Sequence, residues 1–139
     1  MELSRRDALL FGLGGLAAIV LPGAALAAKV DELTAAFAGS AAPSDGGITL
    51  TAPEIAENGN TVPIEVDAPG AVAIMLLAAG NPEPAVATFK FGAAAGSQRA
   101  ATRIRLAKTQ DVIALAKMAD GSVRKAQATV KVTIGGCGG

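Results

Sequence analysis

Apolar and polar residues alternate along several short segments of this chain, and this period of two restricts the folds that it can adopt. Every second residue is apolar in the segments 62–66, 87–91, 103–106 and 129–134. Successive side chains of a β-strand point to opposite faces, so each segment would present one apolar face and one more polar face. The pattern therefore predicts strands that are buried on one side, and an all-β fold.

Further segments raise the number of predicted strands to about seven. Residues 48–52 and 71–78 are rich in apolar side chains, and Asp120-Gly121 separates the segments 112–118 and 123–134. An Asp-Gly pair between two apolar segments is a strong hairpin signal. About seven short strands within about 90 residues predict an immunoglobulin-like antiparallel β-sandwich, and a small Greek-key barrel is the alternative.

Two of these strands carry features that predict their place in a sheet. Pro63 has no backbone N–H to donate to a neighbouring strand, so we expect its strand to lie at a sheet edge. Residues 71–78 contain no polar side chain on either face. That strand is therefore either central and covered on both faces, or docked onto another chain.

The residues ahead of the sandwich predict a short helix followed by a linker. Val30, Leu33 and Phe37 recur at a spacing of three and four, which is typical of an amphipathic helix. Residues 39–47 are mainly Gly, Ser, Ala, Pro and Asp, which are typical of a linker with turns. We therefore assign residues 28–47 to the helix and linker, 48–134 to the β-sandwich, and 135–139 to a flexible C-terminal arm.

Residues 1–27 predict an export signal. Arg5 and Arg6 precede a long uncharged run, which ends near the motif Ala25-Leu26-Ala27 that fits a signal-peptidase site. The Ser-Arg-Arg sequence at 4–6 resembles a twin-arginine motif, so we expect a periplasmic protein. A membrane anchor is the alternative, because the run is close to the roughly 20 residues that span a bilayer. Proline and glycine in its last third favour a cleaved peptide and no stable membrane anchor.

The composition excludes most familiar chemistry. The chain has no His, Trp or Tyr, one Cys and four Phe, and 12 basic residues balance 12 acidic residues. Without His and with a single thiol, it cannot form a His-based triad, a zinc site of several thiolates or an internal disulfide. Balanced charge and scarce aromatic side chains argue against nucleic-acid binding. We therefore expect no catalytic residue, no metal site and no cofactor-binding site.

The single cysteine has two glycines on each side. Cys137 lies between Gly135-Gly136 and Gly138-Gly139, although only 17 of the 139 residues are Gly. Chance would place four glycines at these positions with a probability on the order of two in ten thousand. A glycine-flanked terminus cannot hold a base or an oxyanion hole beside the thiol, so catalysis by Cys137 is not predicted. Such a segment can instead carry the thiol into a narrow channel, which is typical of a carrier arm.

The preceding strand indicates how this arm is attached. The alternation of Val130, Val132 and Ile134 predicts that the base of the arm is anchored in the core. A thiolate is strongly nucleophilic, so Cys137 can accept a cargo that another protein activates. Three interpretations of Cys137 stay open at this point: a covalent carrier, an incidental thiol, and a handle for an intermolecular disulfide that includes a thiol-linked homodimer.

The export signal, the small all-β domain and the C-terminal Gly-Gly-Cys-Gly-Gly together resemble the SoxY family of the bacterial thiosulfate-oxidising (Sox) system. Residues 48–64 are also similar to that family's first strand pair. The resemblance implies a carrier that holds sulfur intermediates covalently on Cys137 while partner enzymes process them, and that is not itself an enzyme. A structural or disulfide-linked envelope protein with no carrier role is the alternative function.

The resemblance also implies partners. A SoxZ-like subunit would form a heterodimer with this chain, and a haem protein would join thiosulfate oxidatively to the thiol. A manganese hydrolase would then remove the terminal sulfone as sulfate, and in some organisms a molybdenum enzyme would oxidise the remaining sulfane sulfur. The carrier would bind no cofactor besides the sulfur intermediates on Cys137.

Two groups of charged residues have weaker functional interpretations. Four basic residues could steer an anionic cargo or dock an acidic partner, but we favour a solvated strand face: Arg99, Arg103, Arg105 and Lys108. Glu54 and Glu57 lie beside Asn58-Gly59-Asn60. They offer too few oxygen ligands at the right spacing for a calcium loop, so we predict a turn there.

Overall fold

The computed structural model describes residues 21–136 of the chain. This part forms one helix, α1 (Pro22–Ala38), followed by nine strands. The strands in chain order are β1 (Ser44–Asp45), β2 (Thr49–Thr51), β3 (Ile55–Asn58), β4 (Val62–Asp67), β5 (Ala71–Ala78), β6 (Ala85–Lys90), β7 (Arg99–Ile104), β8 (Gln110–Met118) and β9 (Val123–Ile134). The predicted all-β fold with one N-terminal helix is confirmed.

The strands form two sheets that pack against each other around a shared core. One sheet has the order β1-β9-β8-β5-β6, with β3 also paired to β9, and the other has the order β2-β4-β7. Val66 of the small sheet and Ile74 and Val112 of the large sheet are all 0% exposed and belong to one apolar cluster. Two sheets that share a core in this way form the predicted immunoglobulin-like sandwich.

The hairpin predicted at Asp120-Gly121 joins β8 to β9. The two strands pair antiparallel from Gln110↔Val130 to Lys117↔Val123. Gly121 has a φ of 86°, a conformation that residues with a Cβ rarely adopt. The hydroxyl and backbone N–H of Ser122 both donate to the Asp120 carboxylate, at 2.6 and 2.8 Å. These hydrogen bonds, the hydroxyl's first, lower the pKa of Asp120 because they favour the ionised form.

The strand without polar side chains, β5, lies between β6 and β8 in the large sheet. Ile74 and Leu76 point into the core between the sheets. Leu77 points the other way, into a second apolar cluster that includes Val30 of α1. The helix thus covers the outer face of this strand near Leu77, whereas Val72 stays 42% exposed. The predicted central position of the strand is confirmed, and docking onto another chain stays a prediction.

Helix α1 begins earlier than the sequence pattern indicates. It starts at Pro22, since proline is favoured in the first turn of a helix, and the alanines that follow favour its continuation. Leu33 and Phe37 pack against the second cluster, as their spacing predicts. The helix includes residues 25–27, where we predicted the cleavage site. The assignment of residues 1–27 to a signal peptide stays a prediction. Within the described residues, no helix has both the length and the apolarity needed to cross a bilayer.

The prediction that the strand of Pro63 lies at a sheet edge is wrong, because β4 lies between β2 and β7. The local argument still holds at the proline itself. Pairing between β2 and β4 ends at Thr51↔Glu65, before it reaches Pro63. On that side Pro63 faces no ladder partner, and only β7 pairs with it, through Arg103. A proline is therefore tolerated in a central strand whose neighbour is short.

Two strands are additional to those predicted, and both pair parallel to β9. Strand β1 lies within the predicted linker 39–47, and Ser44 is the register partner of Arg124. Strand β3 contains Glu57, where we predicted a turn, and Asn58 is the register partner of Ile134. Neither segment shows an alternating pattern that would have predicted a strand, since the two are only two and four residues long. Each forms a strand because it pairs with the free edge of β9. The turn itself begins after β3, where the Asn60 N–H donates to the Asn58 side chain at 2.9 Å.

The second apolar cluster yields a test of the covering role of α1. Leu115 is 0% exposed in that cluster, so Leu115→Ala is expected to lower the free energy of unfolding by about 3 kcal/mol through lost burial and a cavity. Val72→Ala is the control, because Val72 is 42% exposed and should cost under about 1 kcal/mol. Urea denaturation followed by circular dichroism measures both. Equal costs would contradict the described burial.

Candidate functional site

The predicted carrier residue and its distal glycines, Cys137 and Gly138-Gly139, lie outside the described residues, as do Arg5 and Arg6 of the predicted export signal. The structure describes the chain up to Gly136, the residue immediately before the cysteine. The functional site can therefore be built from the residues that hold the chain at this point.

The backbone at the end of β9 is hydrogen-bonded to two other segments of the domain. The Gly59 N–H donates to the Ile134 carbonyl at 2.8 Å, and the Gly136 N–H donates to the Leu106 carbonyl at 2.9 Å. The Leu106 N–H in turn donates to the Gly59 carbonyl at 2.8 Å. We call this arrangement, formed by Gly59, Leu106-Ala107 and Gly135-Gly136, the glycine junction. Gly136 is buried in it.

The three glycines of the junction approach neighbouring backbone too closely for a side chain. A Cβ on Gly136 would lie 2.9 Å from the Gly59 carbonyl oxygen. A Cβ on Gly59 or on Gly135 would also lie within 3.0 Å of a backbone carbonyl oxygen, of Leu106 and of Ala107 respectively. Real Cβ atoms essentially never make such contacts. Glycine is thus required here by close packing of backbone.

This placement differs from the sequence prediction for the first two arm residues. We predicted that Gly135 and Gly136 belong to a flexible arm, but the structure places both against the domain. The contact that holds Gly136 comes from Leu106, which is distant in sequence. A glycine's neighbours in sequence do not show whether it is free or closely packed, so the sequence alone suggested freedom.

The predicted anchoring of the arm through apolar side chains is correct only in part. Val130 is fully buried and Val132 packs against the core, but Ile134 is 66% exposed. Strand β9 therefore extends past the end of the core. Its last residues are held by backbone hydrogen bonds rather than by burial of Ile134.

A buried amide side chain supports the segment that carries Leu106 and Ala107. Asn81 is 3% exposed, and its amide donates to the Arg105 carbonyl at 2.8 Å. Its carbonyl oxygen accepts the Ala107 N–H at 2.9 Å and the Gln110 amide at 2.8 Å. Gln110 also accepts the Gly80 N–H at 2.8 Å. Sequence analysis missed these residues because the hydrogen bonds join segments that are separate in the sequence.

The four basic residues of the predicted solvated face are exposed. Arg99 pairs with Glu65, whereas Arg103, Arg105 and Lys108 form no ion pair within residues 21–136. Their exposure agrees with the solvated strand face that we favoured. The described residues also contain no group of three or more His, Cys, Asp or Glu side chains that could hold a metal ion.

The glycine junction contains no ionisable or nucleophilic side chain. It is built from backbone amides and carbonyls, and those of Gly59, Leu106 and Gly136 are linked by hydrogen bonds. Such a site can hold the chain that leads to Cys137, but it offers no base or acid for a reaction at the thiol.

Comparison with known proteins identifies relatives of this chain. The family model described as sulfur oxidation protein SoxY matches residues 33–137, a range that includes Cys137. The solved structure of the sulfur carrier protein SoxY from Chlorobium limicola f thiosulfatophilum is 36% identical, with a TM-score of 0.68, and the match covers 78% of this chain and 99% of that chain. No curated protein matches the chain.

More distant structures share the fold alone. A superoxide reductase (neelaredoxin) from Ignicoccus hospitalis is 16% identical with a TM-score of 0.55, over 63% of this chain and 80% of that chain. A putative superoxide reductase from Thermotoga maritima is 16% identical with a TM-score of 0.54, over 65% of this chain and 93% of that chain. At this identity the similarity establishes a common sandwich and no common chemistry.

The buried amide network yields a test of how the junction is supported. Asn81→Ala would leave the Ala107 N–H and the Gln110 amide without their acceptor, so we expect the free energy of unfolding to fall by about 2 kcal/mol. Gln98→Ala is the control, since the Gln98 side chain accepts one hydrogen bond among the described residues, from the Gly70 N–H at an exposed position, and its loss should cost under about 1 kcal/mol. Denaturant titration compares the two, and a cost for Asn81→Ala no larger than the control's would argue against the support.

Proposed function

Because this chain belongs to the SoxY family of sulfur carriers in thiosulfate oxidation, we propose that it binds sulfur intermediates covalently on Cys137. The observation that carries the proposal is that the family match extends to Cys137, which is the only cysteine of the chain. The carrier function rests on this family relationship, which favours it over a structural or disulfide-linked envelope protein with no carrier role.

The thiol is suited to successive states of one cargo. Joining thiosulfate to the Cys137 sulfur forms a new S–S bond and releases the thiol proton and two electrons, which the haem partner would accept. Hydrolysis of the resulting thiosulfonate by one water would release hydrogen sulfate and leave a persulfide on the carrier. Each step needs groups that the glycine junction lacks, which supports the assignment of all catalysis to partner proteins.

The further partners and the compartment follow from the family and from the sequence of the first residues. We assign the chain a SoxZ-like subunit as its heterodimer partner, and haem, manganese and molybdenum enzymes as the proteins that act on Cys137. Arg5 and Arg6, followed by the uncharged run, support export to the periplasm by the twin-arginine route. The twin-arginine route exports folded proteins, so a carrier that folds with its partner before export would be suited to it.

Mass spectrometry of the intact protein tests the site of attachment. Protein purified from cells grown on thiosulfate is expected to carry mass increments of thiosulfonate or sulfane sulfur, which a reductant removes. Cys137→Ser is expected to carry none, because its hydroxyl cannot form the S–S bond. Increments that persist in Cys137→Ser, or a wild-type protein that shows only a disulfide-linked homodimer, would contradict the proposal.

The glycines beyond the thiol test whether the carrier enters narrow sites. Gly138→Val places a branched side chain beside Cys137, so we expect turnover of the loaded protein by partner enzymes to fall by about tenfold or more, because the thiol is misplaced in their sites. The unfolding transition should not change. Gly92→Val is the control, since a Cβ on Gly92 would meet no atom within 4 Å. Unchanged turnover of Gly138→Val would refute entry into a narrow channel.

A further inference from the structure

The glycine junction determines where the chain leaves the domain. Gly59 bonds to both neighbouring segments, through its N–H to the Ile134 carbonyl and through its carbonyl to the Leu106 N–H, and Leu106 in turn bonds to Gly136. It is buried, although it follows a strand of only four residues in the turn Asn58-Gly59-Asn60. A Cβ on Gly59 would lie within 3.0 Å of the Leu106 carbonyl oxygen and 2.8 Å from the Gly136 nitrogen.

We propose that Gly59 is a positioning residue for the carrier thiol: it closes the junction around Gly136, so that the free carrier segment begins directly before Cys137 rather than at Gly135. This inference rests on the proposed function, because it assigns a role in presenting Cys137 to partner enzymes. Gly59 is far from Cys137 in sequence, and it would act only through contacts of its backbone.

The position of the junction sets the length of the free segment. Consecutive Cα atoms are about 3.8 Å apart, so while the junction holds Gly136 in place, the residue after it can lie no farther than about that distance from the held Gly136 Cα. If the junction opened, the free segment would extend back to Ile134 and gain about 7 Å of reach, at about 3.3–3.6 Å for each of the two released residues. Two more mobile residues would also have to be ordered when the thiol enters a partner's site, which weakens binding.

The remaining contacts of the junction favour the closed state. Leu106 is 0% exposed, and the Ala107 N–H is held by the buried Asn81 side chain. The wall against which Gly136 lies is therefore part of the folded core. Gly59, by contrast, lies in the turn after β3 between two exposed residues, so a methyl group added there is expected to push this turn away from Leu106 and the end of β9 and to break its hydrogen bond to Ile134.

Backbone dynamics measured by NMR test the proposal directly. In the wild-type protein, the ¹H–¹⁵N heteronuclear NOE is expected to stay high through Gly136 and to fall from Cys137 onward. In Gly59→Ala the fall should begin at Gly135, and hydrogen exchange at the Gly136 amide should accelerate by about tenfold or more, while core amides such as that of Ala114 keep their protection. Gly92→Ala is the matched control and should leave the profile unchanged, because its added Cβ meets nothing.

A second variant keeps the test decisive if Gly59→Ala fails to fold. Gly136→Ala places its Cβ 2.9 Å from the Gly59 carbonyl oxygen and alters only the end of the chain, so it should open the junction in a folded domain. A wild-type Gly136 as mobile as Gly138, or an unchanged profile in the folded variants, would overturn the proposal.

A kinetic measurement separates positioning from a purely structural role. With the thiosulfonate-loaded protein as substrate of the manganese hydrolase, Gly59→Ala is expected to raise KM by about tenfold and to leave kcat unchanged, since only the ordering of the free segment becomes costlier. An unchanged KM with a demonstrably opened junction would refute positioning. Absence of any sulfur on wild-type Cys137 would instead refute the proposed function and leave the NMR result standing.

Discussion

Backbone pairing along β9 (Val123–Ile134) connects the core of the domain to the glycine junction. One edge of the strand pairs with β8 through the hairpin, and β1 and β3 add short parallel pairings along the strand. Val130 fixes the middle of β9 in the sandwich core, but Ile134 lies beyond it. Because side-chain burial ends before the strand does, its final residues depend on hydrogen bonds to Gly59 and Leu106. The placement of Gly136, the residue before Cys137, thus depends on main-chain geometry.

At the end of the sandwich that carries the glycine junction, polar side chains and glycines hold the chain segments together. Asn81 and Gln110 accept hydrogen bonds from the partly buried backbone N–H groups of Ala107 and Gly80, and a buried group left unsatisfied costs about 1–3 kcal/mol. Glycines then allow three backbone segments to approach within hydrogen-bonding distance. The two devices are complementary, because the amide network holds the wall formed by Leu106-Ala107 and the glycines let the end of β9 lie against it.

This construction suits a protein that carries a substrate and leaves its conversion to others. A catalytic site needs charged or nucleophilic groups held around the reacting atom, whereas a carrier needs a stable attachment point and nothing around the cargo that competes with a partner's site. The glycine junction has that character, because it is built from backbone and bears no ionisable side chain. Its exposed surroundings, including Arg105 and Lys108, leave room for a partner to approach.

Local patterns in the sequence determined seven of the strands, most of their inward faces and the Asp120-Gly121 hairpin, because alternation and turn chemistry are properties of neighbouring residues. The role of Cys137 is also predicted from the sequence, by its place between glycines. Only the tertiary structure decided that Pro63 lies in a central strand, that β3 joins β9, and that Gly136 meets Gly59. These outcomes depend on which segments come together across long stretches of chain. A glycine that is closely packed and a glycine that is free look the same in sequence, since the difference lies in a contact made by a distant backbone.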